Sequence, residues 1–512
     1  MLTAGRCGSV GARIEPGFVC RVNRSLILLI LTLVAAGCGQ AAPATTDDPA
    51  SSRLPAPTEP PAPVQPASPA EVETSARALA PEEPRPAAVA EAVYRPDDDR
   101  PVHDDVRLEQ AGIRRYESRR LLLYSDIDPE KADGLPGLVD AVYDEWVAYF
   151  GELPPARDGS DFQITGYLID DLDLFVAAGL VPENLPVFEH GRPKGREFWL
   201  HDQSLDYYRA HLLLHEATHC FMTALPRSDG PAWYMEGMAE HFAAHRMDEE
   251  GRPAFRILPA SPDETPGFSR IDRIQEAVAA DRFKPIDEVL ELRPADFKGE
   301  QGYEWAWAAC QFFDSHPRYR DRFRELHDPR LRPVFSKEFR RRFSAEAEQL
   351  RRDWALFAGT LCYGYEMEPA VLDLRPGAGL STGGEVSIEI ASDRGWQSSG
   401  VQVRAGERYE IVSEGTFTLA DEPKPWLSDA GGISFDYAGG HPIGLLLAAV
   451  LTGDPAAETD PAGGLLSPIV AGRRATLTAP ATGTLYLRIN DGWNRLSDNR
   501  GRLEVSIRRV GD

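Results

Sequence analysis

The chain has 512 residues, 42% of them hydrophobic, and sets 55 Lys and Arg against 80 Asp and Glu, a formal charge of -25. That balance implies no broad basic surface and argues against nucleic-acid binding. The length suffices for more than one globular unit.

Arg6, Arg13, Arg21 and Arg24 precede an apolar run from Leu26 to Ala36, which ends at Gly37 and Cys38. A basic start, an apolar stretch too short to span a bilayer and small residues at its end mark a secretory leader. Ala35-Ala36-Gly37-Cys38 resembles a bacterial lipobox. That resemblance implies lipidation of Cys38 and a membrane-anchored, exported protein of the bacterial cell envelope. Ordinary secretion with cleavage near Ala36 is the alternative. Residues 39–105 are dominated by Pro, Ala, Thr and Glu with almost no aromatics, so they read as a disordered tether. Cys7, Cys20 and Cys38 fall in the leader, leaving Cys220, Cys310 and Cys362. An odd number outside the cytoplasm allows at most one internal disulfide, of undetermined pairing.

Strand-like Leu121-Leu122-Leu123-Tyr124 opens the folded part, a helical pattern runs from Leu138 to Phe150, and a second strand follows from Phe162 to Leu168. Then comes His215-Glu216-Ala217-Thr218-His219, set in an apolar helical stretch from Tyr207 to Leu225. On a helix, positions i and i+4 differ by about 40° and about 6 Å of rise, so both imidazoles leave one face. That spacing lets two nitrogens reach one Zn²⁺ at about 2.0–2.1 Å. Glu216 lies where a carboxylate can take a proton from a water held by the metal. A second helix is signalled by Ser228-Asp229-Gly230-Pro231 and continues through Tyr234-Met235-Glu236-Gly237-Met238-Ala239-Glu240. Glu236 there supplies a third ligand and leaves a fourth position open, as a catalytic zinc requires.

This pattern resembles the gluzincin peptidases, and within them a poorly characterised bacterial envelope group. The resemblance spans about Tyr116 to Tyr365. It implies an α+β zincin-like metallopeptidase domain, with His215, His219 and Glu236 on zinc, Glu216 as general base and Glu240 as buttress of a ligand histidine. The interval from His219 to Glu236 is slightly shorter than in the best-known members. Glu240 therefore stays open as the third ligand, although the Glu-Gly-x-Ala-Glu context favours Glu236. Tyr303, in Tyr303-Glu304-Trp305-Ala306-Trp307-Ala308, partly matches a helix of this group and is the candidate oxyanion donor. The alternative is that Tyr303 and Trp307 only pack that helix, and Tyr234 is a weaker donor candidate. His211 lies about 12 Å of rise from His219, too far to share one zinc, and is placed beside the site or partly exposed. Counted from Glu236, His241 and His245 fall on the outer face of their helix. The run Arg340-Arg341-Arg342, with Glu338, Glu346 and Glu348 nearby, reads as a solvated helix face.

Beyond Tyr365, alternating Val401 and Val403, then Leu485, Leu487 and Ile489, then Leu503, Val505 and Ile507 signal an all-β sandwich. Asn490-Asp491 and Asp498-Asn499-Arg500-Gly501 bracket a loop whose oxygens suit Ca²⁺. This part resembles the calcium-dependent galactose-binding bacterial lectins, with a jelly-roll-like fold. That resemblance implies Asp491, Asp498 and Asn499 as calcium ligands, Asp498 standing where the lectin has Asn. The sugar-contacting positions do not align, and a turn without metal is the alternative. The expected layout is leader 1–38, tether 39–105, metallopeptidase domain 106–365, linker 366–386 and lectin-like sandwich 387–512. The expected activity is zinc-dependent peptide hydrolysis on protein or peptide substrates, with glycans as a further partner. The rival is a non-catalytic carbohydrate-binding lipoprotein on a peptidase-like scaffold.

Overall fold

The computed structural model describes residues 93–226, 230–299, 301–328, 334–422, 424–453 and 462–511. The leader, Cys38, most of the tether and the Ser228-Asp229 start signal lie outside these residues. Residues 93–104, assigned to the tether by composition, are mostly exposed but are fixed to the fold at Arg95, Arg100 and His103. Arg95 is buried, and Arg100 bonds both Asp98 and Thr165.

After α1 (Asp105–Ala111), strands β1 (Arg114–Glu117), β2 (Leu121–Ser125), β3 (Ile164–Ile169), β4 (Gly191–Lys194) and β5 (Glu197–His201) form one sheet. Its order is β1-β2-β3-β5-β4, with β2, β3 and β5 parallel and β1 and β4 as antiparallel edges. The long helix α2 (Leu135–Phe150) makes the crossover between β2 and β3. A central parallel strand is covered on both sides, and every residue of β3 is accordingly buried. On one face Ile164, Leu168, Phe198 and Leu200 join the main core; on the other, Tyr167 stacks between Tyr124 and Trp199.

The chain then turns helical: α3 (Asp206–Ala224), α4 (Ala232–Ala243), α5 (Arg270–Ala279), α6 (Gln301–Ser315), α7 (Phe335–Phe343) and α8 (Ala347–Thr360). Helix α4 packs between α3 and α6. Gly237 makes the second of these contacts possible, since a Cβ there would stand 2.4 Å from the Ala306 carbonyl oxygen. On α7 the i, i+4 stripe Phe335, Phe339 and Phe343 is buried, while Arg341 pairs with Glu338 on the outer side.

The C-terminal part is a two-sheet sandwich, as the alternation predicts. Its strands are β6 (Glu385–Ala391), β7 (Gln397–Val403), β8 (Arg408–Glu414), β9 (Gly431–Ala438), β10 (His441–Leu451), β11 (Arg474–Thr478), β12 (Gly483–Ile489) and β13 (Arg500–Val510). Among these strands one sheet runs β9-β10-β12-β7 and the other β6-β13-β8-β11, with antiparallel pairing throughout, and the two-residue strand Ala378–Gly379 adds a parallel edge beside β7. Val401, Val403, Leu485, Leu487, Ile489, Leu503, Val505 and Ile507 fill the space between them. Strand β10 breaks the alternation because it is buried on both faces. Leu446, Ala448 and Val450 face the sandwich core, whereas Leu447, Ala449 and Leu451 lie under Ala355 and Leu356 of α8. Each large side chain so covered contributes about 1.5–3 kcal/mol.

The stretch read as a linker is also built in. The Glu366 carboxylate accepts bonds from the Leu496 and Ser497 amides (2.8 Å each) and the Ser497 hydroxyl (2.7 Å). Tyr365 stacks on Trp493 at 6.0 Å. Cys220, Cys310 and Cys362 are all free thiols, the first two buried. No described helix is long and apolar enough to cross a membrane.

Candidate metal centre

Helix α3 leaves the sheet after β5 and runs through the core, so nearly every residue from Arg209 to Met222 is buried. Its i, i+4 geometry turns His215 and His219 to one side. Helix α4 crosses that side and delivers Glu236. The three donor atoms converge: His219 Nε2 lies 3.1 Å from His215 Nε2 and 3.1 Å from Glu236 Oε2, and His215 Nε2 lies 3.5 Å from the same oxygen. Four tetrahedral ligands at about 2.0–2.1 Å from Zn²⁺ stand about 3.4 Å apart, so this triangle matches one face of such a shell. Among the described residues, His215, His219 and Glu236 form the group that could hold a metal ion.

Electrostatics fit the same reading. Burial lowers the His215 imidazolium pKa, but Glu236 and Glu240 outweigh it and push the group up to about 10. Burial raises the Glu236 carboxyl, yet His219 and His215 hold it far below its ordinary range. The carboxylates thus favour positive charge at the two imidazoles.

Glu216 sits next to His215 at 4% exposure, and its Oε2 has no hydrogen-bond partner. Burial raises its pKa. The edge strand β4 lies directly over it: a Cβ on Gly191 would stand 2.3 Å from Glu216 Oε1. Only a glycine gives the carboxylate that room.

Glu240 is one helical turn beyond Glu236 and 3% exposed. Its Oε1 contacts His215 Nδ1 at 3.2 Å, on the ring edge away from the donor triangle. This separates the two candidates left open by the spacing: Glu236 reaches the donor triangle, and Glu240 stands behind His215. Tyr303, on the first turn of α6, places its ring 5.9 Å from that of His215. Burial, then Glu236, Glu240 and Glu216, raise its pKa, so the phenol keeps its proton. Tyr234 is instead buried among Phe323 and Phe335.

His211 takes the first of its two expected places, beside the site: it is 2% exposed, with Nε2 3.0 Å from Glu240 Oε2. Two histidine expectations need correction. His241 and His245 do not face outward. His241 is 1% exposed and lies 3.1 Å from Asp314 Oδ2, because α4 is enclosed on both sides and has no outer face there. His245 lies beyond the helix end, in a short strand, stacked on Tyr207 at 4.7 Å. Arg270 was not legible as a site residue: its guanidinium reaches Glu240 through two bonds of 2.8 Å from another helix. No local pattern signals that pairing.

In the sandwich, Asp491 and Asn499 are buried close together and Asp498 is exposed. Asn499 Nδ2 bonds the Ser392 carbonyl at 3.1 Å, and its Oδ1 has no partner. Asp491 Oδ1 accepts the Gly492 amide at 2.7 Å and lies 3.4 Å from Arg495, which also pairs with Asp436. Burial and then nearby Glu366 raise the pKa of Asp498.

No protein-family model and no curated protein matches this chain. Among solved structures, the N-terminal domain of EclA, a PllA-like lectin, is similar at 22% identity over 24% of this chain and 94% of its own, with a TM-score of 0.19. IMPa metallopeptidase from Pseudomonas aeruginosa is similar at 15% identity over 54% of this chain and 27% of its own, TM-score 0.15. Its complex with T-antigen is similar at 16% identity over 52% and 26%, also at TM-score 0.15. The match with IMPa thus spans about a quarter of that protein's length.

Proposed function

We propose that this protein is a zinc metallopeptidase acting on proteins or peptides at the bacterial cell envelope. The observation that carries the reading is the donor triangle of His215, His219 and Glu236, with the buried Glu216 carboxylate, its Oε2 unpartnered, beside it. When bound there, Zn²⁺ lowers the pKa of a coordinated water and polarises a carbonyl oxygen. Glu216 takes the proton of the attacking water and returns it to the leaving amine. Its burial suits both halves, because a carboxylate of raised pKa accepts a proton readily and holds it until the amine departs. Tyr303 donates a hydrogen bond to the developing oxyanion. Glu240 holds His215 in orientation from behind.

The leader, Cys38 and the Pro- and Ala-rich tether support an exported, lipid-anchored location. A calcium role for Asp491, Asp498 and Asn499 is the second reading, favoured by the buried and unpartnered Asn499 Oδ1. Glycan binding by the sandwich would then direct the enzyme to its surface. The rival reading remains a carbohydrate-binding lipoprotein without turnover.

The test is to purify the chain from residue 93 onward, measure its metal content, and offer a mixed peptide library before and after chelation. One zinc per chain, with cleavage lost on chelation and restored by Zn²⁺, supports the peptidase. Zinc without cleavage moves the assignment to the binding protein, and a chain that takes no zinc ends the reading.

Gly191→Ala tests the roof over the base. The added methyl displaces Glu216 rather than any backbone atom, so the fold should survive. A carboxylate misplaced by about 1 Å costs on the order of 10²-fold in rate. We expect kcat to fall by about 10–100-fold with zinc content unchanged, read from steady-state kinetics and metal analysis.

A further inference from the structure

We infer that Arg270 is a positioning residue of the metal centre, acting through Glu240 to fix the orientation of His215; this rests on the zinc reading above. A carboxylate offers about four lone-pair sites. Glu240 has four contacts. Arg270 Nε donates to Oε2 and Arg270 Nη2 to Oε1, both at 2.8 Å. His211 Nε2 lies 3.0 Å from Oε2, and His215 Nδ1 lies 3.2 Å from Oε1. Three hydrogen bonds and the His215 contact thus hold the carboxylate behind the donor triangle. Held this way, Oε1 faces His215 Nδ1, the nitrogen that keeps a proton when Nε2 gives its lone pair to a metal.

The geometry requires a guanidinium. Two parallel N–H bonds set the plane of the Glu240 carboxylate as well as its position, which a single ammonium cannot do. Charge matters equally: Glu216, Glu236 and Glu240 gather around His215 and His219, and the buried Arg270 guanidinium is the cation bonded to both oxygens of Glu240.

Arg270 is also well anchored. It is the first residue of α5, whose N-cap Ser269 accepts the Asp272 amide at 3.3 Å and contacts the Tyr363 hydroxyl at 2.6 Å. Its guanidinium carbon lies 4.7 Å from the Phe268 ring centre and 5.7 Å from that of Tyr303. One side chain thus touches both the buttress of a ligand histidine and the ring of the proposed oxyanion donor.

The experiment measures zinc dissociation constants by competition with a chromogenic chelator for the full chain, Arg270→Met, Arg270→Lys, Glu240→Gln and Arg270→Met/Glu240→Gln. Visible spectra of the Co²⁺-loaded proteins and melting of metal-free and zinc-loaded forms accompany it. Loss of a group supporting a metal ligand typically weakens affinity about 10–100-fold. We expect that loss for both Arg270 variants, with shifted Co²⁺ bands. In the Glu240→Gln background, Arg270→Met should change affinity by less than about twofold, because its action runs through Glu240.

A merely structural arginine would lower the melting of metal-free and zinc-loaded forms equally and leave the dissociation constant unchanged. That result, wild-type Co²⁺ spectra, or an equal loss in the Glu240→Gln background overturns the inference. If Arg270→Met does not fold, Arg270→Lys, which keeps the charge and the stem, decides it on the same criteria. A wild-type chain that binds no zinc overturns the peptidase reading and this inference together. Wild-type zinc binding with unaffected Arg270 variants overturns this inference alone.

Discussion

Glu216→Gln is expected to lower kcat/KM by about 10³-fold or more while one zinc per chain is retained. General-base catalysis by a positioned side chain contributes about 10²–10⁴-fold. Glutamine has the shape of glutamate, so it can fill the space under Gly191 without moving β4. It cannot accept the proton. Glu216 stands outside the donor triangle of His215, His219 and Glu236, so metal content should not change. The wild-type carboxylate is buried with one oxygen unpartnered, and a neutral amide removes the cost of burying that charge. The melting temperature should therefore hold or rise. Kinetics on a peptide selected from the library, metal analysis and thermal melting together check all three parts. Turnover that survives the substitution would remove Glu216 from the mechanism. If the protein has only a binding activity, the substitution should leave that activity intact.

Gly237→Ala is expected to destabilise the fold by about 3 kcal/mol and to weaken zinc binding with it. The new Cβ would stand 2.4 Å from the Ala306 carbonyl oxygen and 2.6 Å from Cys310 Sγ. The first obstacle is helical backbone, which cannot swing aside as a side chain would. Overpacking of this kind costs about 1–3 kcal/mol and sometimes more. It outweighs the gain of about 1 kcal/mol that alanine usually brings to a helix interior. The functional consequence follows from position. Glu236 precedes Gly237 on α4, and Tyr303 lies one turn before Ala306 on α6, so separating these helices pulls the third ligand and the phenol apart. Gly137→Ala in α2 is the control, because a Cβ there meets nothing within 4 Å. It should be neutral or mildly stabilising. Equal melting and equal zinc affinity for the Gly237 variant and wild type would show that the α4–α6 contact has slack that the geometry does not suggest.

The chemistry of the site was legible because it is written in short intervals. The i, i+4 spacing of His215 and His219, with Glu216 between them, forces three side chains into one region of a helix whatever the rest of the chain does. The alternation of Leu485, Leu487 and Ile489 likewise states which face of a strand is buried. What the local pattern could not carry was contact between elements. The choice between Glu236 and Glu240 turned on where α4 crosses α3, a matter of helix packing. His241 and His245 were assigned outward from helical angle alone; α6 covers one of them, and the end of α4 at Ala243 redirects the other. Strand β10 is apolar on both faces because α8 lies across its outer side. Arg270 meets Glu240 only because α5 returns to the back of the centre. Residue identity and spacing on single elements thus determined the candidate ligands, the candidate base and the sandwich core. The position of Glu236 as candidate third ligand, the contacts of Glu240 behind His215 and the glycine roof over Glu216 were decided by tertiary packing, because each depends on the distance between elements remote in sequence.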